Sequence, residues 1–150
     1  MASPQASTLK RLPRVWAAVT FLLLMALVFV LFQGRKTELV RPDALLAIAP
    51  AFYSHVSNFS ISYVLCAGIG YPWLMMGSSM AAVLWLGLAG VLANIVYEGF
   101  IPILNTPDFV DAWYGIAGCV LGVSVLAVIE RWGLVANPAS EKEGTSKSQT

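Results

Sequence analysis

The sequence predicts an all-α fold, an integral membrane bundle of four transmembrane helices with the N- and C-termini in the cytoplasm. Three observations carry this reading. Of 150 residues, 58% are hydrophobic and only 11% are charged, whereas a soluble domain carries about a quarter charged residues. The mean hydropathy is +0.74. The charges are also segregated: no Asp, Glu, Lys or Arg lies between Asp43 and Glu98, or between Asp111 and Glu130. Such a chain has too few polar groups for a water-facing surface, so lipid is its solvent over most of its length. The net charge of +1, without a basic patch interleaved with aromatics, gives no support to a nucleic-acid partner. Cys66 and Cys119 both lie in apolar runs and read as buried thiols rather than a disulfide framework.

The first span is expected near Val15–Phe32, with Thr20 as its one polar member. As a helix it is about 27 Å long, close to the hydrocarbon thickness of a bilayer. Lys10, Arg11 and Arg14 precede it, and no small-x-small cleavage site separates it from Arg35, so it reads as an uncleaved anchor. Residues 42–57 are apolar but broken by Pro50, and read as an outer segment lying at the interface. The uncharged stretch Phe59–Tyr97 is too long for one crossing. A turn at Gly77-Ser78-Ser79 divides it into spans near Phe59–Met76 and Met80–Tyr97, with Gly70-Tyr71-Pro72 as the competing turn. Pro72 is then a tolerated kink. The fourth span is expected near Ala112–Ile129, opened by Thr106 as cap, Pro107 in the first turn and Asp108 at the positive end of the dipole. Residues 1–136 form one membrane domain, and 137–150 a polar, disordered cytoplasmic tail.

Orientation follows the basic residues. With the N-terminus inside, Lys10, Arg11, Arg14, Arg131, Lys142 and Lys147 are cytoplasmic, while Arg35, Lys36 and Arg41 are outside. Trp73, Trp85, Trp113 and Trp132 fall mostly near span ends, where aromatic belts sit.

Two helical faces carry the candidate chemistry. Gly87, Gly90, Asn94 and Glu98 recur at steps of three and four in the third span, and Asp111, Gly115, Gly118 and Gly122 do so in the fourth. The glycines read as packing seams, Gly118 and Gly122 forming a GxxxG pair. If the seams face each other, Glu98 and Asp111 approach at the outer mouth of the bundle, and intramembrane acids face the protein interior or a watery cavity.

The run Tyr97-Glu98-Gly99-Phe100-Ile101-Pro102-Ile103-Leu104-Asn105-Thr106-Pro107-Asp108-Phe109-Val110-Asp111, continuing to Gly122, resembles the signature of VanZ-like membrane proteins. These small bacterial multi-pass proteins show a glutamate ending the third helix, a short loop with a threonine and an acid, and an aspartate opening a glycine-rich last helix. Glu98, Thr106, Asp108, Asp111, Gly118 and Gly122 match that pattern. Asn105 stands where the family commonly has arginine, and Gly115 where it commonly has asparagine. The resemblance implies an inner-membrane protein of the bacterial envelope and, for the family's name-giver, a link to glycopeptide (teicoplanin) resistance. It implies no particular reaction.

Other constellations are thinner. His55 is the single histidine, and together with Glu98, Asp108 and Asp111 it would complete a metal site from the outer loops. No ligand pair has a His-x-x-x-His spacing, so His55 reads as a solvated interfacial residue and neither metal nor cofactor is expected. Ser54, Ser57, Ser60 and Ser62 lie near His55, but no Gly-x-Ser-x-Gly nucleophile motif is present. Asn58-Phe59-Ser60 fits the glycosylation pattern and reads as chance in a bacterial-looking chain.

The functional expectation is therefore binding of a polar, lipid-linked or glycopeptide envelope component at an outer acidic corner built from Glu98, Asp108, Asp111, Asn94 and Asn105. One alternative is an enzyme using Glu98 and Asp111 as acid and base. Another is an assembly subunit docking a membrane-protein partner, or a second copy, through the seams of Gly87, Gly90, Gly115, Gly118 and Gly122.

Overall fold

The computed structural model describes residues 9–100 and 108–140. A short strand β1 (Arg11–Pro13) leads into helix α1 (Val15–Gln33). A 3-10 turn (Glu38–Val40) and a short helix α2 (Asp43–Ile48) follow. Three long helices come next, α3 (Phe52–Met75), α4 (Met80–Phe100) and α5 (Phe109–Val128). A π-helical turn (Ile129–Gly133) then carries the chain into strand β2 (Leu134–Ala136).

Local chemistry explains the boundaries. α1 contains no glycine or proline between Val15 and Gln33 and stops at Gly34, where any side chain would run into the Tyr53 ring. α3 ends in a Schellman arrangement. The Ser78 amide donates to the Trp73 carbonyl at 2.9 Å and the Gly77 amide to that of Leu74 at 3.1 Å. Gly77 has φ +92°, which glycine adopts without steric cost. The α3–α4 connection thus falls at Gly77–Ser79, and Pro72 sits inside the last turns of α3. α5 is capped by Asp108, whose Oδ1 accepts from the Val110 amide at 2.8 Å. This replaces the expected cap at Thr106, which with Asn105 and Pro107 lies outside the described residues.

The start of the second long helix differs from the expected Phe59, and it takes in part of the segment 42–57. α3 begins at Phe52, and α2 already covers Asp43–Ile48. Tyr53 and Val56 are buried on that added turn. At the other end Asn137, assigned by sequence to the tail, belongs to the folded part. Its side chain donates to the Leu9 carbonyl at 2.7 Å and its amide to that of Lys10 at 2.9 Å.

α5 packs along both α3 and α4, and α1 lies against α3. The core joins Ala17, Phe21 and Val28 of α1 to Tyr63, Ala67, Tyr71 and Leu74 of α3, with Val83, Leu126 and Ile129. Phe21 stacks on Tyr71 with ring centroids 4.0 Å apart. β1 and β2 pair antiparallel, Leu12 opposite Val135. The Lys10 amide reaches the Met75 carbonyl at 2.9 Å. The start of α1, the end of α3 and the end of α5 therefore share one end of the bundle, where Arg11 pairs with Glu130 at 3.0 Å.

The molecule is mostly helical, and among the described residues three helical segments are long and apolar enough to cross a membrane: Val15–Gln33, Met80–Gly99 and Phe109–Gly133. Leu22, Leu23, Trp85 and Trp113 project from them largely exposed. An apolar surface of that extent marks contact with lipid or another apolar partner.

Candidate functional site

Three polar residues of α3 share one stripe. His55, Asn58 and Ser62 are spaced by three and four and so face the same way. Each meets a polar partner from a neighbouring helix. His55 Nδ1–H donates to Asp111 Oδ1 of α5 at 2.8 Å. Asn58 Nδ2 donates to Glu98 Oε1 of α4 at 2.9 Å. Asn94 Nδ2 donates to Ser62 Oγ at 2.9 Å and to the Gly90 carbonyl of its own helix at 2.8 Å. Glu98 is only 2% exposed, a position that a carboxylate occupies only with hydrogen-bonding partners.

Of the residues proposed from sequence, Glu98 and Asn94 reach the α3 stripe from α4, and Asp108 and Asp111 reach it from the start of α5. The two carboxylates Glu98 and Asp111 are thus held by neighbouring turns of α3, each by its own partner. The glycines behave in the same way. A Cβ on Gly87 would lie 2.5 Å from Val123, and one on Gly90 2.8 Å from the Cys119 sulfur, so the α4 seam does face α5. Gly115 faces Asn94 of α4. Gly118 and Gly122 face α3 instead, against the Phe59 carbonyl and, 3.2 Å from a Gly122 Cβ, Cys66. α5 is therefore the shared wall between α3 and α4.

Around His55 three donors converge. Asp108 Oδ2 lies 3.8 Å from His55 Nδ1, on the same nitrogen that meets Asp111. His55, Asp108 and Asp111 each offer one ligand-type atom, all within 4.8 Å of one another. The imidazole also packs beside Tyr114, with centroids 5.3 Å apart.

Between α3 and α4 runs an open groove of about 750 Å³, within the range of small-molecule sites. Its walls are apolar, formed by Ile61, Leu65, Ile69, Leu86, Ala89 and Ala93, with the Cys66 and Cys119 thiols at its floor. Asn58, Ser62 and Asn94 supply its polar side chains. No family model, curated protein or solved structure matches this chain. The site therefore speaks through its own chemistry: a long apolar trough with a polar stripe, and a buried carboxylate one hydrogen bond away.

Sequence reasoning groups His55 with Glu98, Asp108 and Asp111 only as a thin metal constellation, and it does not pair Asn58 with Glu98 or Ser62 with Asn94. His55 was assigned to solvent and Asn58 to a chance motif. Their spacing of three and four was the available signal, but it had meaning only once α3 extended back to Phe52.

Proposed function

We propose that the chain is a VanZ-like, four-span protein of the bacterial inner membrane that binds a polar or lipid-linked envelope component. The apolar part of the ligand lies along the α3–α4 groove and its polar part meets Asn58, Ser62, Asn94 and the Glu98 corner. The observation that carries this reading is the groove itself, whose apolar walls and localised polar side chains suit an amphiphile better than a wholly polar solute.

The four-span count is supported by the placement of α3. It is longer than α1 and runs between the same two ends of the bundle, since its last residues meet β1 and its first turn meets Gly34 at the end of α1. α3 is flanked by α1, α4 and α5, which lets it carry Ser60, Ser62 and Asn58 without exposing them all to hydrocarbon. The assembly-subunit reading is disfavoured because Gly118 and Gly122 are occupied inside the chain, against α3.

The test is native mass spectrometry of the protein extracted in mild detergent. The wild type is expected to retain a bound amphiphile that survives delipidating washes. Ala93→Phe fills the groove and is expected to reduce that adduct at least about tenfold. Val120→Leu, on an exposed face of α5, should leave it unchanged. An adduct equally abundant in the Ala93 variant would place the ligand elsewhere, and no adduct at all would remove the reading.

A further inference from the structure

We propose that His55, Asp108 and Asp111 form a binding site for a divalent transition-metal ion of the zinc class. This goes beyond the groove reading and does not depend on it: the three donors lie where α3 meets the start of α5, and the groove lies between α3 and α4.

The geometry is the first argument. Two ligands on a tetrahedral ion with bonds of about 2.0 Å stand about 3.3 Å apart. Asp111 Oδ1 and Asp108 Oδ2 lie 2.8 Å and 3.8 Å from His55 Nδ1. These two values bracket the required spacing, and the two carboxylate oxygens lie within 4.8 Å of each other, so side-chain shifts of up to about 1.5 Å admit the ion.

The second argument is orientation from outside the cluster. Asp108 Oδ1 is fixed by the Val110 amide at 2.8 Å, which leaves Oδ2 turned toward His55. Ligating carboxylates are characteristically held in this way by a second hydrogen bond. His55 is held in turn by its place in α3 and by Tyr114 beside its ring. Its side chain is 16% exposed, that of Asp111 21% and that of Asp108 41%. Asp108 therefore forms the rim through which an ion enters.

Charge is the third. One imidazole cannot neutralise two carboxylates even when protonated, whereas a divalent ion on neutral imidazole does so fully. An imidazole nitrogen in the set favours zinc and its neighbours over calcium or magnesium, which take more ligands and mostly oxygen. Three protein donors leave one tetrahedral position open.

The test uses full-length, tag-free protein in detergent, stripped with chelator and titrated with Co²⁺. His55 is the chain's only histidine, so a tag would mask the result. The wild type is expected to bind one equivalent with visible absorption bands of tetrahedral Co²⁺, displaced by Zn²⁺. His55→Gln and Asp111→Asn are expected to weaken binding at least about tenfold. Glu130→Gln, which removes a carboxylate at the opposite end of the bundle, should bind as the wild type does. Should the His55 variant fail to fold, Asp108→Asn at the exposed rim decides, with a loss of at least about tenfold supporting the site. Unchanged binding in that variant, or no stoichiometric uptake by the wild type, overturns the proposal.

Discussion

At the scale of single residues, close backbone approach is the strongest constraint. Gly118 sits against the Phe59 carbonyl of α3 and also near the Tyr63 amide, so a side chain there meets backbone, which cannot rotate aside. Lipid offers no hydrophobic drive between helices, and contacts of this kind hold a bundle together. Gly118→Leu is expected to cost about 3 kcal/mol through overpacking. Val120→Leu, on a face 57% exposed, should be neutral. Unfolding midpoints in detergent compare the two, and equal midpoints would mean that α3 and α5 do not touch at Gly118. Asn58 is the polar counterpart. Its amide donates to the buried Glu98 carboxylate at 2.9 Å, and removing one partner of a buried charged acceptor costs about 1–3 kcal/mol. Asn58→Ala should lower the same midpoint by an amount in that range. An unchanged midpoint would mean that the Asn58–Glu98 bond adds nothing to stability.

Among the elements, α3 decides how the molecule is built and was the least legible. α1, α4 and α5 present apolar surface outward, so their composition alone marks them as long apolar segments. α3 packs against α1, α4 and α5 and holds Ser54, His55, Ser57, Asn58, Ser60 and Ser62 in its first turns. Hydropathy therefore stops at Phe59, while the helix reaches back to Phe52. The turn after α3 was readable because Gly77 and the serines have specific backbone roles. The site was half readable. Glu98, Asp108, Asp111 and Asn94 stand out as acids or amides on helical faces. Their partners do not, because His55 and Asp111 are 56 positions apart and no local spacing encodes that pairing. Cysteine accessibility tests the extension of α3. Val56→Cys replaces a side chain that is fully buried, and Ile48→Cys one that is 84% exposed. The membrane-impermeant maleimide should label position 48 rapidly and position 56 at least about tenfold more slowly, as expected for a helix that is closed beyond local fraying. Comparable rates would return residues 52–58 to a loose interfacial segment.

For the molecule as a whole, the pairing of β1 with β2 has the widest consequence. β1 immediately precedes α1 and β2 immediately follows the turn that ends α5, so their antiparallel ladder ties the two ends of the helical region together. Arg11–Glu130 at 3.0 Å and the bonds from Asn137 to Leu9 and Lys10 reinforce the tie. Strands joined in this way lie on one side of a bilayer, and a chain whose ends share a side makes an even number of crossings. Three helices meet the length and apolarity of a span, and α3 is the remaining long helix that joins the far end of α1 to the near end of α4. On the four-span reading proposed above, α3 is the fourth crossing. On that proposed reading, the direction is the one the basic residues favour. Lys10, Arg11, Arg14 and Arg131 gather at the strand end, whereas Arg35 and Arg41 stand at the opposite end, with Arg41 bound to the Gly34 carbonyl at 2.6 Å. Reporter fusions before Leu9 and after Thr150 are accordingly expected to read out in the cytoplasm, and an insertion at Asn105 on the outer side. Both ends outside would keep the bundle and reverse its orientation. Ends on opposite sides would break the β1–β2 pairing and with it the four-span arrangement, because a two-stranded ladder cannot be drawn through hydrocarbon without leaving its edge groups unsatisfied.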